Sequence, residues 1–287
     1  MEVRRVSWAR RLVVDAGGAG QHRHIIHALF EADVTDLRTW ISAYRAKTGI
    51  ELSFTAFVVA AVGRAVAADR GVHGYRDLRG RLVVFDDVDI HVPIEVPVHG
   101  EPLGIVHIIR RTDKRSPYDI HREIRRVQTD PQTSTAARGS HAARYFVLLP
   151  SALRVTALRL VHRLPRRQKQ MMGTVGVTAV GMFGSRGGWG LTFQLHTLHM
   201  VAGGIARRPA IRGGRLAERE YLSLTVGFDH DIVDGAPAAR FVERLARLLE
   251  SPAELAPDLA VQREGSDTTE VPGGCGSRMP KTSDEGP

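Results

Sequence analysis

Residues 221–235 of this chain read YLSLTVGFDHDIVDG, and the pattern of this stretch determines the fold predicted around it. Every second residue from Leu222 to Phe228 is apolar, which predicts a strand with one buried face. Pro237 suits the first turn of a helix, and apolar residues follow at helical spacing: Phe241, Val242, Leu245, Leu248 and Leu249. The stretch therefore predicts a strand, a short polar turn and an amphipathic helix.

The turn carries His230-x-x-x-Asp234-Gly235, a pattern with two interpretations. An imidazole has an ordinary pKa near 6.5, so an accessible His230 can accept a proton from a thiol or hydroxyl near neutral pH. Asp234 can then orient a nearby group or hold the turn, and Gly235 allows a backbone conformation that other residues resist. The alternative is a buried, hydrogen-bonded histidine without catalytic function.

Strands and helices alternate along the preceding residues. Residues 24–30, 82–85, 89–98 and 103–109 have strand patterns, and Pro93 and Pro97 indicate an edge or an interruption. Helices are predicted from Val34 to Gly49, after a cap at Ser53, and from Ser116-Pro117 to about residue 127. Residues 129–142 are predicted to be a loop. We expect one domain over residues 1–262 and a disordered tail over 263–287.

Residues 145–172 form a basic, amphipathic insertion. Leucines and valines alternate there with arginines, and Arg166, Arg167 and Lys169 close the segment. Such a helix can pack on its own domain or cover a hydrophobic channel. It can also contact a membrane surface through residues 146–169.

Composition narrows the classes of partner. The chain has 287 residues, a net charge of +9 and one cysteine, Cys275, so an intrachain disulfide is excluded. No signal peptide and no apolar run of spanning length is seen, and we expect a cytoplasmic protein. Nucleic-acid motifs are absent from the sequence, so no nucleic-acid partner is expected, whereas a phosphate-rich small ligand suits scattered arginines. His22, His24 and His27 lack matching ligands, and no metal is expected.

Two segments carry a family resemblance. SLTVGFDHDIVDGA, residues 223–236, resembles the active-site segment of the dihydrolipoamide acyltransferases of 2-oxoacid dehydrogenase complexes, which share their fold with chloramphenicol acetyltransferase. GTVGVTAVGMFG, residues 173–184, is similar to a second glycine-rich segment of that family. Weaker similarity extends over residues 5–255 and includes FDDVDI, residues 85–90, and Ala9-Arg10-Arg11-Leu12.

The resemblance implies an α/β two-layer sandwich, with a mixed β-sheet and helices on one face, that acts as an acyltransferase. His230 would be the general base, and Asp234 would orient the turn. Thr178, where the family has serine, would stabilise an oxyanion. Arg11 and Gly235 would support the turn. The expected substrates are acyl-coenzyme A and a dihydrolipoamide-like thiol. A homotrimer would place His230 of one chain beside Thr178 of the next.

The chain also departs from the family pattern. No lipoyl-bearing segment is recognised, so no covalently attached lipoyl group is expected on this chain. Phe193-Gln194-Leu195-His196 stands where the family has Asn-Pro-Pro-Gln, which puts the family's coenzyme contacts in doubt. Two alternatives therefore stay open: acylation of a small hydroxylated compound, and a non-catalytic scaffold of an oxidative complex or a membrane surface.

Overall fold

The structure is a computed structural model that describes residues 7–98, 101–179 and 187–256. Its helices are α1 (Trp8–Gly20), α2 (Thr35–Thr48), α3 (Phe54–Ala68), α4 (Pro117–Thr129), α5 (Thr135–Phe146), α6 (Ser151–His162), α7 (Pro165–Met172), α8 (Gly235–Glu250) and α9 (Pro252–Leu255). Its strands are β1 (Ile25–Asp33), β2 (Tyr75–Arg76), β3 (Leu82–Val83), β4 (Ile90–Val98), β5 (Glu101–Ile109), β6 (Val175–Ala179), β7 (Leu198–Arg212) and β8 (Arg215–Asp229). The predicted tail lies outside the described residues.

Six strands form a mixed sheet in the order β1-β8-β7-β6-β4-β5. The β6 strand runs parallel to both neighbours, and the other pairs are antiparallel. One face of the sheet packs on α3, α4 and α8 around a common apolar core. The predicted two-layer α/β architecture, with a mixed sheet and helices on one face, is confirmed.

Helix α3 lies at the centre of this core. Ten of its residues are buried, because small and β-branched side chains cover its whole circumference: Ala56, Phe57, Val58, Val59, Ala60, Ala61, Val62, Gly63, Ala65 and Val66. A helix that is apolar all round must be covered on every side. Ser53 precedes the helix as predicted, although its side chain makes no capping hydrogen bond.

The two prolines of β4 lie where the strand lacks a partner on one side. The β4–β6 pairing consists of Ile90 and His91 only, so Pro93 and Pro97 pair with β5 alone. Proline has no backbone N–H to donate, and a half-paired strand does not require one there. The strand is thus interior in the sheet order, but after His91 it pairs with β5 alone in the described part of the chain and has the free edge that the prolines predicted.

Two elements differ from the sequence prediction. Residues 129–142 were predicted to be a loop, but most of them belong to α5, which Ser134 caps by accepting a hydrogen bond from the Ala137 backbone. The β7–β8 hairpin extends past the predicted strands to Gly213 and Gly214, which have φ of 56° and 76°. Both angles lie in the left-handed region that a tight two-residue hairpin turn requires.

The basic insertion contains α6 and α7, which are separated by Arg163 and Leu164, and Pro165 is the first residue of α7. Within the described residues, no helix has the length and apolarity that crossing a bilayer requires.

Candidate functional site

The turn between β8 and α8 has a fixed backbone. The His230 N–H donates to the His24 carbonyl at 2.7 Å, and the Asp229 N–H donates to the Thr197 carbonyl at 2.9 Å. The N–H groups of Ile232 and Val233 both donate to the Asp229 carbonyl. These bonds attach the turn to β1 and to the residue before β7, so the position of the imidazole is set by the sheet.

The His230 side chain projects from this turn into solvent. Its exposed fraction is 47%, and its Nδ1 lies 3.8 Å from Oδ1 of Asp234. That separation is ion-pair range and too long for a hydrogen bond. Asp234 is the N-cap residue that precedes α8, yet its carboxylate makes no capping hydrogen bond and is 84% exposed. The histidine and the carboxylate are therefore adjacent and accessible, and the alternative of a sealed structural histidine does not hold.

Asp229 is held by an arginine that sequence reasoning did not single out. Its Oδ2 accepts a hydrogen bond from Arg23 Nη1 at 2.6 Å, and Arg23 Nη2 donates to the Leu195 carbonyl at 3.3 Å. Both side chains are largely buried. Arg11, which the resemblance suggested for this purpose, lies exposed on α1, where its backbone N–H bonds to Ser7.

The position of Arg23 follows from the strand pairing. The start of β1 pairs with the end of β8, with Ile25 opposite Asp229, so a cation two residues before Ile25 lies beside that carboxylate. Only the strand pairing makes this proximity visible. Arg23 contacts Asp229, and Arg76 Nη1 lies 3.9 Å from Asp231 Oδ2 in the same turn. The suggested function of Arg11 stays a prediction.

Gly235 does not have the special backbone conformation predicted for it. It is the first residue of α8, its φ is not in the left-handed region, and no atom of the described chain lies within 4 Å of where a Cβ would be. A first helical residue adopts ordinary helical angles, which any amino acid can reach.

The three N-terminal histidines have separate contacts. His24 Nδ1 lies 2.9 Å from Asp231 Oδ1, and this hydrogen bond raises the pKa of His24 above its usual value and lowers that of Asp231. His22 Nε2 meets Arg159 at 2.6 Å. His27 pairs with Gly227 in the strand register. In the part of the chain that the structure describes, no three histidine, cysteine or carboxylate side chains are arranged to hold a metal.

Thr178 lies near the end of β6, on the sheet face turned away from α3. Its Oγ1 is 3.1 Å from Nε2 of His199, and the ring of His196 follows at 6.2 Å from that of His199. His91 lies 5.2 Å from His196, centroid to centroid. Burial lowers the pKa of His199 and of His91 to about 4, so both rings are neutral at neutral pH.

These histidines depend on a glycine between them. A Cβ at Gly176 would collide with the Nδ1 atoms of His196 and His199. Neither of these two nitrogens has a hydrogen-bond partner within the described residues. The histidine group behind Thr178 was not predicted from the sequence. His91 lies 105 residues before His196 and 108 residues before His199, and they come together because β6 pairs with both β4 and β7.

Thr178 and His230 do not meet within one chain. Thr178 pairs with Val201, which pairs with Thr225, and His230 follows Thr225 by five residues. At about 3.3 Å per residue and about 4.8 Å between strands, the two are roughly 19 Å apart. A site that uses both requires a second copy of the chain, as the resemblance implied. The structure holds one chain, so the shared site stays a prediction.

Two concave regions flank these residues. A groove of about 1230 Å³ contains Thr178 and is bordered by α2, the start of α3, β4 and β7. Its lining mixes apolar side chains such as Ile41, Phe54 and Val58 with arginines such as Arg45 and Arg125. A smaller cavity of about 330 Å³ lies beside the His230 turn, and its lining includes Arg23, His162 and Asp229.

Comparisons with known proteins find similarity to acyltransferases. The family described as "2-oxoacid dehydrogenases acyltransferase (catalytic domain)" matches residues 160–256, which include both Thr178 and His230. The lipoamide acyltransferase component of the branched-chain alpha-keto acid dehydrogenase complex of Pseudomonas aeruginosa is 30% identical over 90 residues, which are 31% of this chain and 21% of that protein.

A longer match is to the mitochondrial dihydrolipoyllysine-residue succinyltransferase component of the 2-oxoglutarate dehydrogenase complex of Saccharomyces cerevisiae. It is 25% identical over 211 residues, which are 73% of this chain and 38% of that protein. The chain thus spans between a fifth and two fifths of the length of these two curated relatives.

Solved structures show the same fold. The probable dihydrolipoamide acetyltransferase of Listeria monocytogenes has a TM-score of 0.63 at 19% identity and covers 94% of this chain and 98% of its own. The dihydrolipoamide acetyltransferase of Azotobacter vinelandii has a TM-score of 0.65 at 18% identity, over 88% of this chain and 94% of its own. The chain resembles the catalytic domain of dihydrolipoamide acyltransferases in sequence segment and in fold.

Proposed function

We propose that this chain transfers an acyl group between coenzyme A and a dihydrolipoamide-like thiol, with His230 as the general base. The observation that carries the proposal is the accessible imidazole on a backbone-fixed turn, with the Asp234 carboxylate 3.8 Å away. A base on a rigid strand end keeps its position while substrates exchange. The resemblance to an acyltransferase catalytic domain supports the same reaction class.

In the proposed reaction, His230 removes the proton from the acceptor thiol, and the thiolate attacks the carbonyl carbon of acyl-coenzyme A. The carbonyl π electrons move to oxygen and form a tetrahedral oxyanion. Collapse of this intermediate breaks the bond to the coenzyme A sulfur, which leaves with the proton held by His230. The products are the acylated acceptor and free coenzyme A.

Thr178 is the proposed donor to that oxyanion. Thr178 is one of the residues that line the groove of about 1230 Å³, where a ligand with an apolar arm would contact Ile41, Phe54 or Val58. A single well-placed donor of this kind is worth about 3–4 kcal/mol of transition-state stabilisation. Because His230 and Thr178 of one chain are separated, we propose a homotrimer, or a multiple of trimers, in which each site uses two chains.

The acceptor has two candidates. The matched relatives are named as components of 2-oxoacid dehydrogenase complexes, which supports dihydrolipoamide supplied by a separate lipoyl-bearing partner. A small hydroxylated acceptor is the alternative, and it stays open because Phe193-Gln194-Leu195-His196 stands where the family has Asn-Pro-Pro-Gln. The Gln194 side chain packs against Gly227, just before the turn that carries His230.

The test is release of free thiol from a panel of acyl-coenzyme A donors, measured with dihydrolipoamide or with simple alcohols as acceptor. We expect turnover with dihydrolipoamide, and we expect His230→Ala to lower kcat by a factor of about 10² to 10⁴ with the oligomer intact. Faster turnover with alcohols would select the alternative acceptor. A wild-type protein without turnover on any donor would leave the scaffold alternative. A fully active His230→Ala protein would exclude His230 as the general base.

A further inference from the structure

Helix α6 has its charged and apolar residues in unusual places. Arg154 is 7% exposed, whereas Leu153 and Leu160 on the same helix are 56% and 51% exposed. Arg154 is buried because it forms a two-point ion pair with Asp15 of α1, at 2.5 Å and 3.1 Å, and also donates to the Val147 carbonyl. An arginine therefore anchors this helix, and its leucines face outward.

The apolar residues continue beyond the helix. Leu148, just before α6, is 79% exposed, and Leu149 is 44% exposed. Helix α1 packs along α6 and adds Val13 and Val14, which are 44% and 65% exposed. We call these six residues, with Leu153 and Leu160 included, the leucine-valine surface. The described residues of this chain leave it uncovered.

The charge around this surface has one sign. Residues 145–172, which include α6 and α7, contain six arginines and lysines and no aspartate or glutamate. Arg159, Arg163, Arg166 and Arg167 are exposed on or next to α6, and Arg10 and Arg11 are exposed on α1. Asp15, the acid of α1, lies buried against Arg154 and does not offset these charges at the surface.

We propose that the leucine-valine surface docks this protein on a membrane surface that contains anionic lipid. Exposed leucines beside arginines, without acids among them, match an interfacial helix that inserts its apolar side chains between headgroups while its cations contact lipid phosphates. Helix α6 is about 18 Å long, which suits lying in the interface. Docking is peripheral, since no described helix can cross a bilayer.

Charge complementarity selects this occupant over the others. Two copies of the leucine-valine surface would bring arginines against arginines, which opposes a symmetric contact between chains. Nucleic acid would be attracted by the arginines, but its affinity would not depend on the leucines, because phosphate contacts carry most of that binding. An anionic bilayer is the partner that uses both sets of side chains.

The experiment is co-sedimentation of the full chain with lipid vesicles. One vesicle preparation is phosphatidylcholine alone, and the other is phosphatidylcholine mixed with phosphatidylglycerol. We expect binding to the mixed vesicles and little to phosphatidylcholine alone. The double variant Leu153→Ser with Leu160→Ser should weaken binding by about tenfold or more, and Arg166→Gln with Arg167→Gln by about tenfold, with greater loss as salt is raised.

A matched control is available on the β7–β8 hairpin. Ile211 and Leu216 are paired across its end and are 76% and 77% exposed, so Ile211→Ser with Leu216→Ser removes more apolar exposure elsewhere than the α6 variant does and should leave vesicle binding unchanged. Leu148→Ser, outside any helix, gives a second test that α6 folding cannot affect, and it should also weaken binding.

Three results would overturn the proposal. One is equal binding of the wild type to both vesicle preparations. Another is unchanged vesicle binding by the Leu153→Ser, Leu160→Ser and Leu148→Ser proteins. That result would mean that the arginines attract any polyanion, and duplex nucleic acid added to the mixture should then compete with the vesicles. The third is a fall in solution mass of these variants without vesicle binding by the wild type, which would identify the surface as a contact between copies.

Discussion

His199 contacts the hydroxyl of Thr178. The Thr178 hydroxyl lies 3.1 Å from His199 Nε2, whereas His199 Nδ1 is enclosed and has no partner within the described residues. An enclosed N–H without an acceptor costs more than an enclosed lone pair, so we infer that the proton of His199 is on Nε2 and is donated to Thr178. The Thr178 hydroxyl proton is then free to point into the groove.

This arrangement predicts a positioning function for His199 in the proposed reaction. Replacing His199 by Phe should lower kcat by about tenfold to a hundredfold with a smaller change in KM, because the hydroxyl loses its fixed orientation towards the oxyanion. His199→Gln keeps an N–H donor and should restore most of kcat. Thr178→Ser is the matched control and should stay active, since it retains the hydroxyl.

A structural function alone would give a different pattern. If His199→Phe and His199→Gln lose kcat equally, or if both lose only thermal stability, His199 does not position Thr178. If the wild type shows no turnover, the proposed function fails, and the positioning function of His199 fails with it.

The individual residues of the site were predictable to different degrees. His230 and Asp234 lie where the strand-turn-helix pattern placed them, because that pattern is local in sequence. Arg23 and His199 act through neighbours 206 and 21 residues away, and one sequence carries no record of such pairings. Their contacts follow from strand register, which the sequence specifies only through the assembled sheet.

At the scale of elements, a buried ion pair joins α1 and α6, and the Ser151 hydroxyl of α6 donates to the same Asp15 carboxylate. Arg154 and Asp15 have side chains only 9% and 1% exposed. The hydrogen bond from Arg154 holds the pKa of Asp15 below 3.8. A lowered carboxyl pKa stabilises the folded state at pH values above the unfolded pKa, and that contribution is lost as pH falls through the lower folded pKa. The pair should therefore hold α6 in place down to about pH 4.

Removal of this pair should release α6 while the sheet stays folded. Arg154→Met leaves the buried Asp15 carboxylate with the Ser151 hydroxyl but without a cation, and removing one partner of a buried ion pair costs about 3–5 kcal/mol. We expect faster backbone hydrogen exchange over residues 148–164 and little change in β7 or β8. Arg167→Met removes an exposed cation of the next helix and serves as the control. Equal exchange in all three proteins would contradict the assigned importance of the ion pair.

Elements with one clear period were predicted, and elements that depend on other parts of the molecule were not. In helix α8 the apolar residues recur at helical spacing, and in the core half of β8 they recur at every second position. The outer hairpin, residues 206–220, is rich in arginine and glutamate, and it is ordered by pairing and by Gly213-Gly214 rather than by burial. Helix α5 was missed because its alanines and glycine resemble loop composition, although Ser134 caps it.

At the scale of the whole molecule, neutral histidines in the interior make stability depend on pH. Burial lowers the pKa of His73, His91, His162 and His199 to about 4, and that of His196 also falls well below its usual value. The unfolded chain binds protons on these residues near pH 6.5, whereas the folded chain does not until about pH 4. Stability is therefore lost as pH falls from about 6.5 towards 4.

The slope of this loss is measurable. Each such histidine contributes about 1.4 kcal/mol per pH unit inside the window, so urea unfolding at pH 7 and at pH 5 should differ by several kcal/mol. His162→Gln should reduce the slope, and His27→Gln, which changes an exposed histidine, should not. A free energy of unfolding that stays level from pH 7 to pH 5 would contradict the assignment of neutral interior histidines.

The central claim is that one active site uses His230 of one chain and Thr178 of another. The direct measurement is acyl transfer by assemblies formed from equal amounts of His230→Ala and Thr178→Ala chains, each nearly inactive alone. In a cyclic assembly with random mixing, about a quarter of the interfaces combine an intact His230 with an intact Thr178, so about a quarter of wild-type activity should return. If the mixed assemblies form but stay as inactive as either variant alone, the shared site is contradicted.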